Sequence, residues 1–191
     1  MKTDVRENIV LVARKTFQRF GFRKTTMDEI AFAAGKGKSS LYYYFKSKEE
    51  VFEAVVEKEA GLLRDEIIRK VGECNTAIEK LSVYIYVRMH GFKNMSNFYV
   101  ALKDELLSNL GFIEKIRTKY DKNEIESITT IINEGIKNKE FKNLNTTLTA
   151  KTIVVAMKGL EVPLLMENTG KKNFKKEIDQ MLEVLFYGIC T

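Results

Sequence analysis

Apolar residues recur at helical spacing along almost the whole chain. Over residues 3–20 the stripe is Val5, Ile9, Val12, Ala13, Phe17 and Phe20, and Gly21 closes it. Thr26 and Glu29 have the S/T-x-x-E spacing of a capping box, so a helix is predicted to start at Thr26, carrying Met27, Ile30, Ala31 and Ala34. Gly35 can take the positive φ that stops a helix. A second short helix is predicted over 38–45, where Leu41 and Phe45 share one face. Ser47 and Glu50 repeat the capping-box spacing and open a long helix over 47–71, with Gly61 near its middle permitting a bend. Beyond it the pattern predicts helices over 77–90, 94–107, 111–137, 148–167 and 171–189, with a kink at Pro163 and a break at Gly91. The expectation is an all-α fold: a three-helix bundle in residues 1–48, a connecting helix over 47–73, and a second helical domain over 74–191.

The helix over 38–45 carries the most specific chemistry. Leu41 and Phe45 leave Lys38, Ser39, Ser40, Tyr42, Tyr43 and Tyr44 on its other faces. A cation, hydroxyls and rings with polar tips suit phosphates and base edges in a major groove. Two short helices about a tight turn form a helix-turn-helix, with the second as the reader. Lys48 opens the next helix, where a cation opposes the helix dipole and a phosphate partner explains it better. Gly37-Lys38-Ser39 looks like the end of a phosphate-binding loop, but that motif needs glycine where Phe32 stands, and a preceding strand.

Charge sharpens this picture. The net charge is +6, and residues 1–50 hold 11 basic and 6 acidic residues, against 21 and 20 in the remainder. The excess therefore sits on the segment that would meet phosphate. Hydrophobic residues make up 45% of the chain, enough for a core, and no apolar run approaches the length of a membrane span. Cys74 and Cys190 have no metal-ligand spacing, and the N-terminus lacks a signal-peptide h-region. A reduced, cytoplasmic setting is expected.

At Thr25–Gly35 and Lys38–Phe52, the runs T-T-M-D-E-I-A-x-A-A-G and K-S-S-L-Y-Y-Y-F-K-S-K-E-E-V-F resemble the DNA-binding domain of the tetracycline-repressor (TetR) family. The resemblance covers about residues 3–60. It departs from the family pattern at Lys36, where an apolar residue is usual, and at Gly37, where a polar helix cap is usual. The resemblance implies a dimeric transcriptional regulator, a repressor on a palindromic operator, with DNA contacts at Thr26, Lys38, Ser39, Ser40, Tyr42, Tyr43, Tyr44 and Lys48. It also implies a C-terminal ligand-binding and dimerisation domain and an unknown, lipophilic small-molecule effector.

The C-terminal residues are less specific. Tyr84, His90, Phe98, Tyr99, Phe112, Tyr120, Met157 and Glu161 mix aromatic, sulfur and polar groups, as a pocket for a lipophilic ligand does, and as an ordinary core does. The last two helices are apolar over much of their circumference. Ile153, Leu160, Ile178, Leu182 and Phe186 are the expected dimer interface, with a plain monomer core as the other reading. No catalytic constellation stands out: His90 has no partner identifiable from sequence, and the paired carboxylates read as helix surface. The rivals are a DNA-binding or interaction protein of the same fold with no ligand, and a helical enzyme, for which the sequence offers no support.

Overall fold

The computed structural model describes residues 4–94, 97, 111–166 and 174–191. Eight helices lie among them: α1 (Val5–Lys24), α2 (Met27–Ala33), α3 (Lys38–Tyr44), α4 (Lys48–Gly72), α5 (Ala77–Asn94), α6 (Gly111–Lys137), α7 (Thr146–Met166) and α8 (Phe174–Ile189). The fold is all-α, with the helix-turn-helix at its N-terminal end. Most of the helix expected over 94–107 lies outside the described residues.

The chain divides into two compact units, Met1–Leu62 with Phe92–Ile116, and Leu63–Gly91 with Arg117–Thr191. The core of the first is apolar and aromatic. Phe52 of α4 meets Phe17 edge-on at 5.2 Å and Phe22 at 5.0 Å, and Ile9, Ile30, Leu41 and Val55 are fully buried beside them. Gly21 has φ 76 and interrupts α1, which resumes for one more turn to Lys24. That break turns Phe22 inward, and Thr25, fully buried, donates from its hydroxyl to the Gly21 carbonyl at 2.8 Å.

The second unit buries Leu81, Ile85 and Met89 of α5, Ile128 and Ile132 of α6, Met157 of α7 and Ile178 of α8. α5 runs straight through Gly91, where a break was expected. The glycine is buried there under Leu63, and a Cβ would lie 3.2 Å from the Leu63 Cγ. Thr76 and Glu79 cap α5, Thr76 Oγ1 accepting from the Glu79 amide at 3.1 Å and Glu79 Oε2 accepting from the Asn75 and Thr76 amides. Those backbone donors hold the Glu79 carboxyl below its usual range. Glu140, 62 positions away, accepts from the Ile78 amide of the same helix at 3.1 Å. α7 continues through Pro163 to Met166. Both cysteines are free thiols.

Ile153, Ile178 and Leu182 are buried in this unit's own core, and Leu160 and Phe186 pack partly against it. An apolar stripe on an amphipathic helix faces the nearest core first, which accounts for the burial of Ile153, Ile178 and Leu182, while Leu160 and Phe186 keep part of their surface exposed. Among the described residues of α7 and α8, the large apolar side chains that face solvent are Leu148 and Val155 on α7, and Val184 and Tyr187 on α8.

Candidate nucleic-acid interface

The reading element starts from its caps. Thr26 Oγ1 accepts from the Glu29 amide at 3.2 Å, and Glu29 Oε2 accepts from the Thr26 amide at 2.8 Å, completing the box that starts α2. The Thr26 hydroxyl also donates to Glu29 Oε2 at 2.9 Å, so it is engaged in capping. At the other end the Gly35 amide donates to the Phe32 carbonyl at 3.0 Å and the Lys36 amide to the Ala31 carbonyl at 2.9 Å. That is a Schellman turn, and it needs the φ of 63 that Gly35 adopts. Gly37 precedes α3 without a side-chain cap, and its carbonyl accepts from the Leu41 amide.

Leu41 and Phe45 are buried and clamp α3 to the head. This leaves Lys38, Ser39 and Tyr42 exposed, Ser40 and Tyr44 half-buried, and Tyr43 83% exposed. The Tyr43 and Tyr44 rings meet edge to face at 5.0 Å. Lys38 reaches back to Asp28 of α2 at 2.9 Å, and this hydrogen-bonded carboxylate raises the ammonium's pKa. Sequence reasoning missed Asp28, because a partner ten positions away in a different helix leaves no periodic signal. Lys48 stands 4.4 Å over the Phe22 ring and donates to the Arg23 carbonyl at 3.4 Å, which fixes its stem beside the break in α1. Ser47 accepts from the Glu50 amide as the second box requires, but the Glu50 carboxylate accepts from the Lys46 amide, one residue before the expected one.

Tyr84, His90, Tyr120, Met157 and Glu161, singled out for a pocket, belong to the second unit. Tyr84 and Met157 are packed in the second unit's core, Tyr120 is half-buried and His90 is exposed, its Nδ1 3.0 Å from the Tyr86 carbonyl. Phe98 and Tyr99, and the side chain of Phe112, lie outside the described residues. Glu161 is almost wholly buried and accepts from Arg88, which also forks onto Glu124 at 2.5 and 3.1 Å. Burial disfavours the Arg88 charge, but the two carboxylates outweigh it and raise its pKa. Burial, with the Glu124 charge adding to it, pushes the Tyr84 phenol well up. Among the described residues no helix is long and apolar enough to cross a membrane.

A capped helix, a Schellman turn and a second helix presenting a cation, hydroxyls and phenols define a helix-turn-helix DNA-binding protein. Residues 9–55 match the profile described as bacterial regulatory proteins, tetR family. Over 55 residues the chain is 42% identical to the uncharacterized HTH-type transcriptional regulator YhgD of Bacillus subtilis, a match spanning 29% of each chain. It is 25% identical to the fatty acid metabolism regulator protein of Bacillus subtilis, over 95% of this chain and 93% of that one. Its fold superposes on a transcriptional regulator from Cytophaga hutchinsonii with a TM-score of 0.78 and 30% identity, covering 96% of this chain and 97% of the other. The chain belongs to the tetR family of bacterial regulatory proteins, and it is a DNA-binding transcriptional regulator.

Proposed function

We propose that the chain is a ligand-responsive repressor that binds a palindromic operator as a homodimer. The observation that supports this best is α3, whose apolar side is buried while Lys38, Ser39, Tyr42 and Tyr43 face outward. Ser40 and Tyr44 flank that face, Lys48 takes a phosphate position at its margin, and Thr26 serves by capping α2. The second copy docks on the outward faces of α7 and α8, where Leu148, Thr152, Val155 and Gly159 align at helical spacing, as do Gln180, Val184, Tyr187 and Gly188. Two such helices per chain make a four-helix interface between identical surfaces. The effector is a lipophilic small molecule held in the C-terminal domain, with Tyr84, Tyr120 and Glu161 as its polar neighbours. Similarity to a fatty acid metabolism regulator along nearly the whole chain favours a lipophilic molecule.

Sequencing the genomic fragments that the purified chain selects tests the reading. The expected product is a palindrome with half-sites one helical turn apart, about 34–36 Å. Indiscriminate capture of all fragments would contradict it. The close packing of Tyr84 and Met157 favours a second reading, a regulator of the same fold without a small-molecule effector. DNA affinity unchanged by a panel of fatty acids and their thioesters supports that one.

A further inference from the structure

Glu59 on α4 is 2% exposed, deep for a carboxylate. Its Oε1 accepts from Arg14 Nε of α1 at 2.8 Å and from Asn97 Nδ2 at 2.9 Å. The same Asn97 amide also donates to the Arg14 carbonyl at 3.1 Å, and Asn97 is itself 3% exposed. One side-chain amide therefore ties α1 to α4 inside the unit that carries the reading helix. Its orientation follows from chemistry: turned over, its oxygen would face two acceptors. Glu59 Oε2 and Asn97 Oδ1 are buried without a hydrogen-bond partner among the described residues. Withdrawing Asn97 leaves the buried carboxylate with Arg14 alone.

The position of Asn97 in the chain gives this clasp a role. It lies in Phe92–Ile116, which is compact with Met1–Leu62, whereas most of the flanking helices α5 and α6 belongs to the other unit. An apolar contact would fill the same space at less desolvation cost, while directional hydrogen bonds accept only one geometry. We propose that Asn97 is a positioning residue for the DNA-reading head: its amide sets how α1 seats on α4, and hence where α3 points. This rests on the dimeric-operator reading above.

The test uses the full chain and the selected genomic palindrome, with half-site spacing native or lengthened by one base pair. Wild type should bind the lengthened site about tenfold more weakly or worse, because both heads must dock together. Asn97→Asp keeps the shape, removes both donors and sets a second carboxylate beside Glu59. It should bind the native site about tenfold more weakly and lose most of the spacing discrimination. Adding Glu59→Gln to it restores the bond between 59 and 97 with donor and acceptor exchanged at the same total charge, but leaves the Arg14 carbonyl without its donor, so discrimination should return only in part. Asn97→Ala makes the same comparison without an added charge, should the aspartate variant not fold. Folded Asn97 variants that keep wild-type spacing discrimination would overturn the proposal. If wild type selects no palindrome, the operator reading fails instead, and amide hydrogen exchange tests the clasp alone. Asn97→Ala should then speed exchange in α1 and leave α7 unchanged; no change in α1 overturns the clasp.

Discussion

Both α3 and α8 turn aromatic rings to solvent, and their surroundings separate what the two faces can hold. On α3, Tyr42 and Tyr43 stand among Lys38, Ser39 and Ser40. On α8, Tyr187 is 91% exposed beside Val184 and Gly188, while Ile178 and Leu182 seal the other side. A phenol among hydroxyls and a cation finds partners in phosphates and base edges. A phenol among valine and glycine finds them in another apolar helix, which it can approach closely. Exposure alone does not distinguish a DNA contact from a subunit contact, and the polarity of the neighbours is what the proposed assignment rests on.

The largest expected effect separates the two sides of α8. Leu182→Glu places a carboxylate in the second unit's core and should cost about 3–5 kcal/mol, read as a large fall in the thermal midpoint of helicity. Val184→Glu, two positions on, should keep its helicity and sediment as a monomer. Identical behaviour of the two variants would erase the distinction between the faces.

The next effect lies on α3. Tyr43→Ala should cost roughly 1–3 kcal/mol on the selected operator and less on random DNA, measured by fluorescence anisotropy. Equal losses on both would move Tyr43 to backbone positioning. Lys48→Ala should weaken binding alike on every sequence and flatten the dependence of log K on log salt by about one counterion. Its contact with the Phe22 ring also gives it a structural share, so the salt slope, not the affinity, is the informative reading.

The smallest effect lies away from both faces. Burial works against the Glu140 carboxylate, but the Ala77 and Ile78 amides outweigh it and hold its pKa below the usual range. A carboxyl lowered on folding stabilises the native state above its unfolded pKa and loses that contribution as pH falls through the folded one. Glu140→Gln should therefore lower the thermal midpoint only slightly at neutral pH, since solvent reaches and screens this carboxylate. Its deficit should shrink as pH falls through the ordinary carboxyl range, followed by thermal melts at acidic pH. A deficit independent of pH would assign the loss to packing instead.

Signals that close within one turn of helix were the legible ones. Thr26–Glu29, the stop at Gly35 and the Leu41–Phe45 clamp all depend on residues within four positions of one another, and each is present. What depends on distant neighbours was not legible. Gly91 reads as a helix breaker until Leu63 is seen lying on it. The Ile178–Leu182 stripe has the same spacing whether it meets its own core or a second chain, and only the packing of α5, α6 and α7 against it decides. Glu59 looks like one more surface glutamate on a charged helix, because neither Arg14 nor Asn97 is near it in sequence.

Sedimentation equilibrium of wild type and Val184→Glu, each with a duplex carrying the selected palindrome, tests most directly whether DNA and the second copy occupy different faces. Wild type should be dimeric alone and place two chains on each duplex, while Val184→Glu should be monomeric alone and occupy half-sites weakly and independently. A Val184→Glu variant that remains dimeric, or wild type that binds as a single chain per duplex, would contradict that assignment.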